Sequence, residues 1–386
     1  MTSELVPAVI SAPDDLAQAV ERIAATGRVA VDTEAASFHR YADRVFLVQL
    51  TSEAETVVVD PLTAGDLAPL GSMLGDARVE VVFHDADYDL RILDRDYGFR
   101  ATRVFDTRIA AHLLGEPSVG LSALLDKHLG VRLNKRFQRA DWSARPLPAA
   151  MLAYAASDTR YLLPLRDLMA TRLQEAGRLH WAQEEFVRLE GLRWTPPDRQ
   201  FAHLLLPGAR GLSPRGRTVL RALYEWREDT ACALDRPPFR VAPHEALVAL
   251  AAAAPVTPED LARVPGLPAS IARRYASSLL HVIREGGARA IVLDDRPRRG
   301  PGRPDAETER RLARLKQFRA LRSTVLGLEP GVLCPNATLL AIARAAPDSP
   351  ERIAAVQELR RWQREALTDE GILEQVAGET GPAGPQ

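Results

Sequence analysis

The feature that most constrains the fold is a change of apolar periodicity between the two halves of the chain. The first half alternates short apolar runs of the strand type with longer runs of helical spacing, a pattern typical of an α/β domain. The predicted strands are 29–34, 45–50, 56–60, 79–83 and 104–105, and the predicted helices are 14–25, 67–74, 88–95 and 108–114. Short connections favour antiparallel pairing of the first three strands, and intervening helices favour parallel pairing of the later ones. We therefore expect a mixed sheet.

The second half of the chain is predicted to be helical. Proline and glycine interrupt the helical pattern twice, and the second interruption is also rich in arginine. We therefore divide the chain into an α/β domain (1–190), a linker (191–210), a helical bundle (211–290), a second linker (291–305), a second helical unit (306–378) and a disordered tail (379–386). A length of 386 residues is compatible with three domains.

Composition excludes several classes of protein. A hydrophobic fraction of 46% with 26% charged residues is typical of a globular protein, and no apolar run approaches the ~20 residues that span a bilayer. The first residues show no export signal, so we expect a cytoplasmic protein without a membrane partner. Cys232 and Cys334 provide neither a disulfide framework nor a thiolate zinc site. The net charge of −1 hides a basic stretch, since residues 286–322 hold 11 arginines and lysines against 5 acidic residues.

Two acidic residues interrupt the first predicted strand. Asp32 and Glu34 lie two positions apart, so their carboxylates project from one face of the strand. Two such charges repel each other unless a cation lies between them. For this segment alone, a strand end at which Asp32 meets solvent is an equally good explanation.

A second acidic segment follows the fourth predicted strand. Residues 83–90 run from that strand into a helix and include Asp85, Asp87 and Asp89. Sheets of α/β proteins bind ligands at the carboxyl ends of their strands, which favours a functional site here. The alternative is structural, because Asp85 and Asp87 are also good helix-capping residues.

A tyrosine and an acidic residue share one face of a later predicted helix. Tyr154 and Asp158 are four residues apart, although a surface aspartate beside a half-buried tyrosine is the common alternative for such a pair. Together the three segments supply carboxylates from a strand, a turn and a helix, without a matching cluster among the 8 histidines. Hard oxygen ligands of this kind favour Mg²⁺ or Mn²⁺ over zinc, and a pair of such ions can promote phosphodiester hydrolysis.

These segments resemble the three exonuclease motifs of the Asp-Glu-Asp-Asp superfamily, in the subgroup whose third motif carries tyrosine. Asp32 and Glu34 match the first motif, Asp89 the second, and Tyr154 with Asp158 the third. Three further segments are similar to the ribonuclease D family: Phe105-Asp106-Thr107, Leu133-Asn134-Lys135 with Gln138, and Asp141-Trp142 followed by Arg145-Pro146-Leu147. The resemblance covers about residues 13–180 and implies a ribonuclease-H-like fold.

The resemblance also implies how a metal site would be divided among the carboxylates. Asp32 would bridge two divalent metal ions, Mg²⁺ or Mn²⁺. Glu34 and Asp158 would complete one site, and Asp89 would support the other, partly through water. Tyr154 would orient the attacking water, since a phenol with a pKa near ~10 positions water more readily than it removes a proton.

Three polar residues that precede the third motif are candidates for substrate binding. Lys135, Gln138 and Arg145 are able to contact phosphates of a bound nucleic acid. The alternative for each of them is a solvated, charged loop.

The helical remainder resembles the helicase-and-ribonuclease-D C-terminal (HRDC) module over about residues 211–286. The matching residues are Trp226-Arg227-Glu228, Ala231, Asp235-Arg236-Pro237-Pro238, Pro265-Gly266-Leu267-Pro268 and Arg273-Arg274-Tyr275. The resemblance implies a nucleic-acid-binding bundle in which Arg273 and Arg274 contact phosphate, with a purely structural bundle as the alternative. Residues 306–378 resemble a second, diverged copy.

These resemblances imply a 3′–5′ exoribonuclease that releases nucleoside 5′-monophosphates from RNA, including tRNA precursors or other structured RNA. A 3′–5′ exodeoxyribonuclease acting on single-stranded DNA is an alternative, because phosphate and metal chemistry does not sense the 2′-hydroxyl. A non-catalytic scaffold that binds nucleic acid is a further alternative, which the full set of carboxylates disfavours. We expect a monomer whose C-terminal helical units tether RNA rather than supply chemistry.

Overall fold

The computed structural model of the protein describes residues 7–36, 38–290, 302 and 304–377. Within these residues the chain begins with a six-stranded sheet of order β1-β4-β3-β2-β5-β6. Its strands are β1 (Ala8–Ile10), β2 (Arg28–Ala35), β3 (Val45–Thr51), β4 (Thr56–Val59), β5 (Glu80–Phe83) and β6 (Val104–Asp106). The segments predicted as strands from the sequence all form strands of this sheet.

Pairing in the sheet is mixed, as predicted. Strands β2 and β3 pair antiparallel, and so do β3 and β4. Parallel pairing joins β2 to β5 and β5 to β6. Strand β1, which the apolar pattern did not reveal, adds to β4 in parallel at one edge. Strand β2 therefore lies in the interior of the sheet, between β3 and β5.

Helices surround the sheet in the first part of the chain. They are α1 (Pro13–Ala24), α2 (Ala68–Leu74), α3 (Asp87–Tyr97), α4 (Thr107–Leu113), α5 (Leu121–Leu129), α6 (Ala149–Arg160), α7 (Leu162–Glu175) and α8 (Leu179–Glu190). Helix α1 buries Leu16, Ala19, Val20 and Ile23, which recur at helical spacing and form one apolar stripe. All residues of β3 are buried, as expected of a strand that is covered on both faces of a sheet.

The rest of the described chain is helical, as predicted. Two short 3₁₀ helices, Ala202–Leu205 and Ala209–Gly211, precede the first helical unit, which comprises α9 (Pro214–Ala233), α10 (Pro238–Val241), α11 (His244–Ala253), α12 (Pro258–Ala262), α13 (Ala269–Arg274) and α14 (Ala276–Ala288). The second helical unit comprises α15 (Ala306–Leu326), α16 (Pro330–Leu333), α17 (Asn336–Ala345), α18 (Pro350–Ala354), α19 (Arg361–Leu367) and α20 (Asp369–Ala377).

Parts of the predicted domain division fall outside the described residues. The linker 291–305 does so except for residues 302, 304 and 305, and the tail 379–386 does so completely. The domain boundaries given above stay predictions. No helix among the described residues combines the length and apolar character needed to cross a membrane.

The second helical unit shares a hydrophobic core with the α/β domain. One cluster of buried residues includes Leu165, Met169 and Phe186 of the domain together with Leu315 and Trp362 of the second unit. Apolar burial on this scale contributes a large part of the stability of any domain. The second unit is therefore packed into the α/β domain, which is a closer association than its predicted role as a tether requires.

Backbone contacts reinforce this junction. The Arg178 guanidinium donates to the carbonyl oxygen of Leu113 at 2.8 Å and to that of Leu326 at 2.6 Å, so it joins a domain helix to the end of α15. Gly115 and Gly327 approach so closely that a Cβ atom at Gly115 would collide with the carbonyl oxygen of Gly327. Residue 115 also has a positive φ of 71°, which favours glycine.

The first helical unit is attached differently. Its own core consists of buried residues between Leu206 and Ile283, without a contribution from the α/β domain. It contacts the domain through polar groups: Asp235 accepts from the Arg40 guanidinium at 3.1 Å and from the Tyr41 backbone N–H at 3.2 Å. Exposed ion pairs of this kind contribute about 0–1 kcal/mol each. The two helical units thus differ in how firmly they are held.

Candidate active site

Strand β2, an interior strand of the sheet, presents two carboxylates on one face. Asp32 and Glu34 are separated by one residue, so they project to the same side, and both are partly buried. Thr33, between them, projects to the opposite side and is buried. The alternation of the strand therefore assigns the acids and the threonine to different environments.

Helix α6 brings a third carboxylate to the same place. It packs against β2 and β3 and carries Asp158. One carboxylate oxygen each from Asp32, Glu34 and Asp158 lie within 4.8 Å of one another. Three of the four carboxylates predicted from the sequence are thus brought together by the fold.

Burial raises the pKa of every member of this triad, and repulsion between the carboxylates raises the pKa of Asp32 and of Glu34 further. Burial raises the pKa of Asp32 to about 8, with a further contribution from the negative charge of Asp158. Burial also raises the pKa of Asp158 to about 7. The pKa of Glu34 is raised well above its usual value, by burial first and then by Asp32, Asp158 and Asp89. Carboxylates confined in this way are stabilised in their charged form when a cation lies between them.

The fourth predicted carboxylate, Asp89, is held slightly apart. It lies in the first turn of α3 and is buried, and the Thr33 hydroxyl donates a hydrogen bond to it. Burial and then repulsion from Asp32 raise its pKa well above the usual value. Asp89 is therefore close enough to interact electrostatically with the triad, although its carboxylate oxygens are not among those that lie within 4.8 Å of one another.

Tyr154 stands one helical turn before Asp158. Its ring stacks on Trp142 at 6.1 Å between centroids and meets the edge of Phe137 at 5.9 Å. Burial raises the pKa of the Tyr154 phenol, and the charges of Asp158, Glu34 and Asp32 raise it further. The phenol therefore keeps its proton at neutral pH and is suited to orienting a water molecule.

The triad lines a cavity of about 480 Å³. Lys135 and Gln138, both predicted to bind substrate, line the same cavity, and so does Tyr154. In the described part of the chain, Lys135 has no carboxylate within ion-pair distance. An ammonium group free of an internal partner is suited to contact a phosphate.

A histidine that was given no role from the sequence also lines this cavity. The Thr107 hydroxyl donates to the carbonyl oxygen of Phe83 at 3.1 Å, so it accepts the hydrogen bond that joins it to Nδ1 of His84 at 2.8 Å. Burial lowers the pKa of His84 to about 4, so the ring is neutral and its Nε2 is an acceptor. The signal available in the sequence was its place directly after a buried strand.

Arg145 does not reach the cavity. Its guanidinium binds both carboxylate oxygens of Asp60, at 2.6 and 2.9 Å, and donates to the carbonyl oxygens of Phe46 and Trp142. These bonds fasten the segment before α6 to strand β3 and the end of β4. The residue that was predicted to bind phosphate serves here to hold the backbone.

Arg273 and Arg274 lie on the first helical unit, away from the catalytic cavity. Both are exposed near the end of α13. The Arg273 Nε donates to the carbonyl oxygen of Ala269 at 3.3 Å, and the Arg274 guanidinium lies 5.4 Å from the ring centroid of Tyr275. Their predicted role is a contact to RNA outside the catalytic cavity.

The donor set of the triad fits a divalent ion of the hard type. All three groups are carboxylates. Among the histidine, cysteine, aspartate and glutamate side chains of the described residues, these three are the group that lies close enough together to hold a metal ion. Oxygen ligands of this kind match Mg²⁺ or Mn²⁺.

Comparison with known proteins assigns a class to this fold and site. A family model described as 3′–5′ exonuclease matches residues 7–174, and the HRDC domain model matches residues 217–283 and 308–374. The mixed sheet with its carboxylate triad is therefore a 3′–5′ exonuclease domain, followed by two HRDC matches. The second of them confirms the resemblance predicted for residues 306–378.

Individual relatives define the family. The chain is 33% identical to ribonuclease D of Gluconacetobacter diazotrophicus, over 95% of this chain and 92% of that protein. It is 28% identical to ribonuclease D of Desulfotalea psychrophila, over 94% and 96% of the two chains. The crystal structure of Escherichia coli RNase D matches with a TM-score of 0.71 at 24% identity, over 96% and 98% of the chains. This chain belongs to the ribonuclease D family.

Proposed function

We propose that the protein is a 3′–5′ exoribonuclease that removes nucleotides one at a time from RNA as nucleoside 5′-monophosphates, with two bound Mg²⁺ or Mn²⁺ ions. The observation that carries the proposal is the convergence of Asp32, Glu34 and Asp158 within 4.8 Å, in a cavity that Tyr154 and Lys135 also line. Membership in the ribonuclease D family supports the same activity.

The carboxylates would hold the metal ions. Asp32, Glu34 and Asp158 would ligate them directly, and Asp89 would support the second ion. Bound metal ions would activate a water molecule, stabilise the leaving oxygen and neutralise charge on the phosphate. The raised pKa values of the four acids support this assignment. Burial disfavours the ionised form of each acid, and repulsion adds to this effect for Asp32, Glu34 and Asp89, so a bound cation would stabilise the ionised forms.

Neighbouring side chains would position the reactants. The protonated phenol of Tyr154 would orient the attacking water, and its contacts with Phe137 and Trp142 would fix the ring. Lys135 would contact a phosphate oxygen, and Gln138 would donate or accept a hydrogen bond beside it. Water oxygen would bond to the last phosphorus, and the bond to the 3′ oxygen of the preceding nucleotide would break. That oxygen would leave with a proton as the new 3′-hydroxyl.

The substrate class proposed is the 3′ end of structured RNA, including tRNA precursors. The related Escherichia coli enzyme is described as an exoribonuclease involved in structured RNA processing, which supports this choice. The HRDC matches support a contribution of the helical units to RNA binding. The expectations of a monomer and of a cytoplasmic location stay predictions.

One assay tests the proposal and its alternatives. Purified protein is incubated with 5′-end-labelled RNA and with DNA of the same sequence, in Mg²⁺, in Mn²⁺ or in chelator. The proposal requires stepwise shortening of the RNA from its 3′ end that the chelator abolishes. Shortening of DNA alone would indicate the exodeoxyribonuclease, and binding without cleavage would indicate a scaffold.

A further inference from the structure

A second cavity lies directly beside the catalytic cavity. Its volume is about 300 Å³, which is at the lower end of the range for ligand-binding clefts. Its lining includes Arg136, Phe137, Arg160 and Tyr161, so it combines guanidinium groups with aromatic rings. No role was derived for this cavity from the sequence.

The two cavities form one path past Tyr154. Leu133, Asn134 and Tyr154 line both of them. Neighbouring residues divide between the two sides: Lys135 lines the catalytic cavity, whereas Arg136 lines the second. A flexible chain whose end occupies the first cavity can therefore continue into the second.

The same division occurs along helix α6. Asp158 lines the catalytic cavity, whereas Ser157 and Arg160 line the second. The helix thus separates an acidic side from a basic side within one turn. A nucleic acid whose terminal phosphate is bound at the carboxylates through metal ions would therefore have its preceding phosphates close to a positively charged side chain.

Among the described residues, two of the three arginines that line the second cavity lack a carboxylate partner. Its lining contains no acidic residue. Within the described ranges, neither the Arg136 nor the Arg160 guanidinium has a carboxylate within 4.0 Å, whereas that of Arg132 lies 3.1 Å from Asp126. Unpaired guanidinium groups in a concave site attract phosphate.

Aromatic rings hold these two guanidinium groups. The Arg136 guanidinium lies 5.3 Å from the ring centroid of Phe137, and that of Arg160 lies 5.9 Å from the ring centroid of Tyr161. Contacts of this kind restrict a long side chain, so less conformational entropy is lost when a ligand binds. The rings also supply surfaces on which a base can stack.

We propose that the second cavity is a binding subsite for the RNA nucleotides on the 5′ side of the scissile bond. Arg136 and Arg160 bind the phosphates that precede the scissile one, and Phe137 and Tyr161 provide stacking surfaces for the bases. This inference rests on the proposed exonuclease function, because it places the 3′-terminal nucleotide in the catalytic cavity.

The number of phosphates in the substrate tests the subsite. A dinucleotide with a free 5′-hydroxyl carries only the scissile phosphate, whereas tri- and tetranucleotides carry additional phosphates upstream. In the full chain, Arg136→Ala with Arg160→Ala is therefore expected to leave kcat/KM for the dinucleotide within about twofold. For the tetranucleotide, kcat/KM should fall by about tenfold for each phosphate contact that is lost.

Two further variants control for charge and folding. Arg78→Ala removes an exposed guanidinium that pairs with Asp76 and lines neither cavity. The kcat/KM of this variant should therefore depend on RNA length in the same way as that of the unchanged protein. Arg136→Lys with Arg160→Lys keeps the positive charge and should restore part of the lost kcat/KM on the tetranucleotide.

Distinct outcomes separate this inference from the proposed function. If the unchanged protein hydrolyses no RNA of any length, the exonuclease proposal is wrong. If it hydrolyses RNA and the double alanine variant keeps the length dependence of Arg78→Ala, the subsite proposal is overturned. It is also overturned if the double variant weakens inhibition by nucleoside 5′-monophosphate without changing the length dependence, because the second cavity would then hold the released nucleotide.

Discussion

The indole rings of Trp181 and Trp362 stack across the junction between the exonuclease domain and the second helical unit, with centroids 5.3 Å apart and ring planes 28° apart. Both residues are buried. The Glu184 carboxylate accepts from the backbone N–H of Trp362 at 2.9 Å, and the Glu185 carboxylate accepts from its indole N–H at 2.6 Å. The start of α19 is thus held by side chains of α8.

Replacement of Trp362 should reveal how far the domain depends on this junction. Trp362→Ala removes a buried ring from a shared core, so the free energy of unfolding should fall by about 3–5 kcal/mol. Val325→Ala is the matched control, because Val325 lies on α15 with 74% of its surface exposed and its loss should change stability by less than about 0.5 kcal/mol. Denaturant unfolding of both variants measures the difference. Equal losses would mean that the junction is not a common core.

Loss of a triad carboxylate should separate catalysis from folding. Asp158→Asn keeps the volume of the side chain but removes a metal-ligating charge, so hydrolysis should fall by about a thousandfold or more. The metal-free variant should be at least as stable as the unchanged protein, because burial disfavours the ionised form of Asp158. Rates on labelled RNA and thermal unfolding in chelator measure the two effects. Near-normal hydrolysis by this variant would remove Asp158 from the site.

The Tyr154 hydroxyl should matter less than a metal ligand. Tyr154→Phe keeps the ring between Phe137 and Trp142 and loses one hydroxyl, so the rate should fall by at most about a hundredfold. Binding of Mn²⁺, measured by calorimetry, should not change. A variant that no longer binds Mn²⁺ would show that the phenol supports the metal site rather than the water.

Stability of the metal-free protein should depend on pH through the triad. The pKa of Asp32 is raised from 3.8 to about 8, so between these values the folded protein holds a proton that the unfolded chain releases. Stability in chelator should therefore fall as pH rises through this window. Mg²⁺ removes the repulsion at high pH but must displace protons at low pH, so it should raise Tm more at pH 8.5 than at pH 6. Asp32→Asn should flatten this difference, and an equal rise of Tm at both pH values in the unchanged protein would contradict the assignment.

The exposed arginines of α13 should contribute to binding of long RNA but not to cleavage of short RNA. Each phosphate contact releases counterions, so Arg273→Ala with Arg274→Ala should lower the slope of log affinity against log salt by about 1 for each contact. Binding to a long RNA is measured in chelator to prevent turnover, and rates on a trinucleotide serve as the control. Arg352→Ala, which removes an exposed guanidinium paired with Asp348, should leave both slope and rate unchanged. Identical slopes for all proteins would indicate that α13 does not touch RNA.

Local sequence patterns predicted most of the sheet because each strand carries its own apolar period. Strand β1 escaped detection, since its three residues include the exposed Ala8 and Val9 and show no alternation. The spacing of Asp32 and Glu34 on a strand, and of Tyr154 and Asp158 on a helix, also predicted which side chains share a face. These are properties of single elements, and the sequence contains them directly.

Contacts between distant segments were not predictable in the same way. Two examples are the hydrogen bond from Thr33 to Asp89 and the ion pair between Arg145 and Asp60. Both depend on how the helices and strands pack in three dimensions. An apolar stripe shows that a helix buries one face but does not identify what covers it. For this reason, the shared core of the second helical unit appeared only in the structure.

The close approach of Gly115 and Gly327 ties two turns together that are far apart along the chain. A side chain at residue 115 would collide with the backbone at Gly327 unless that second turn moved away, whereas a Cβ atom at residue 327 would meet no neighbouring atom. A larger residue at position 115 should therefore occur only together with a change in the turn around residue 327, and a chimera that exchanges the last helices between two relatives should keep glycine at position 115.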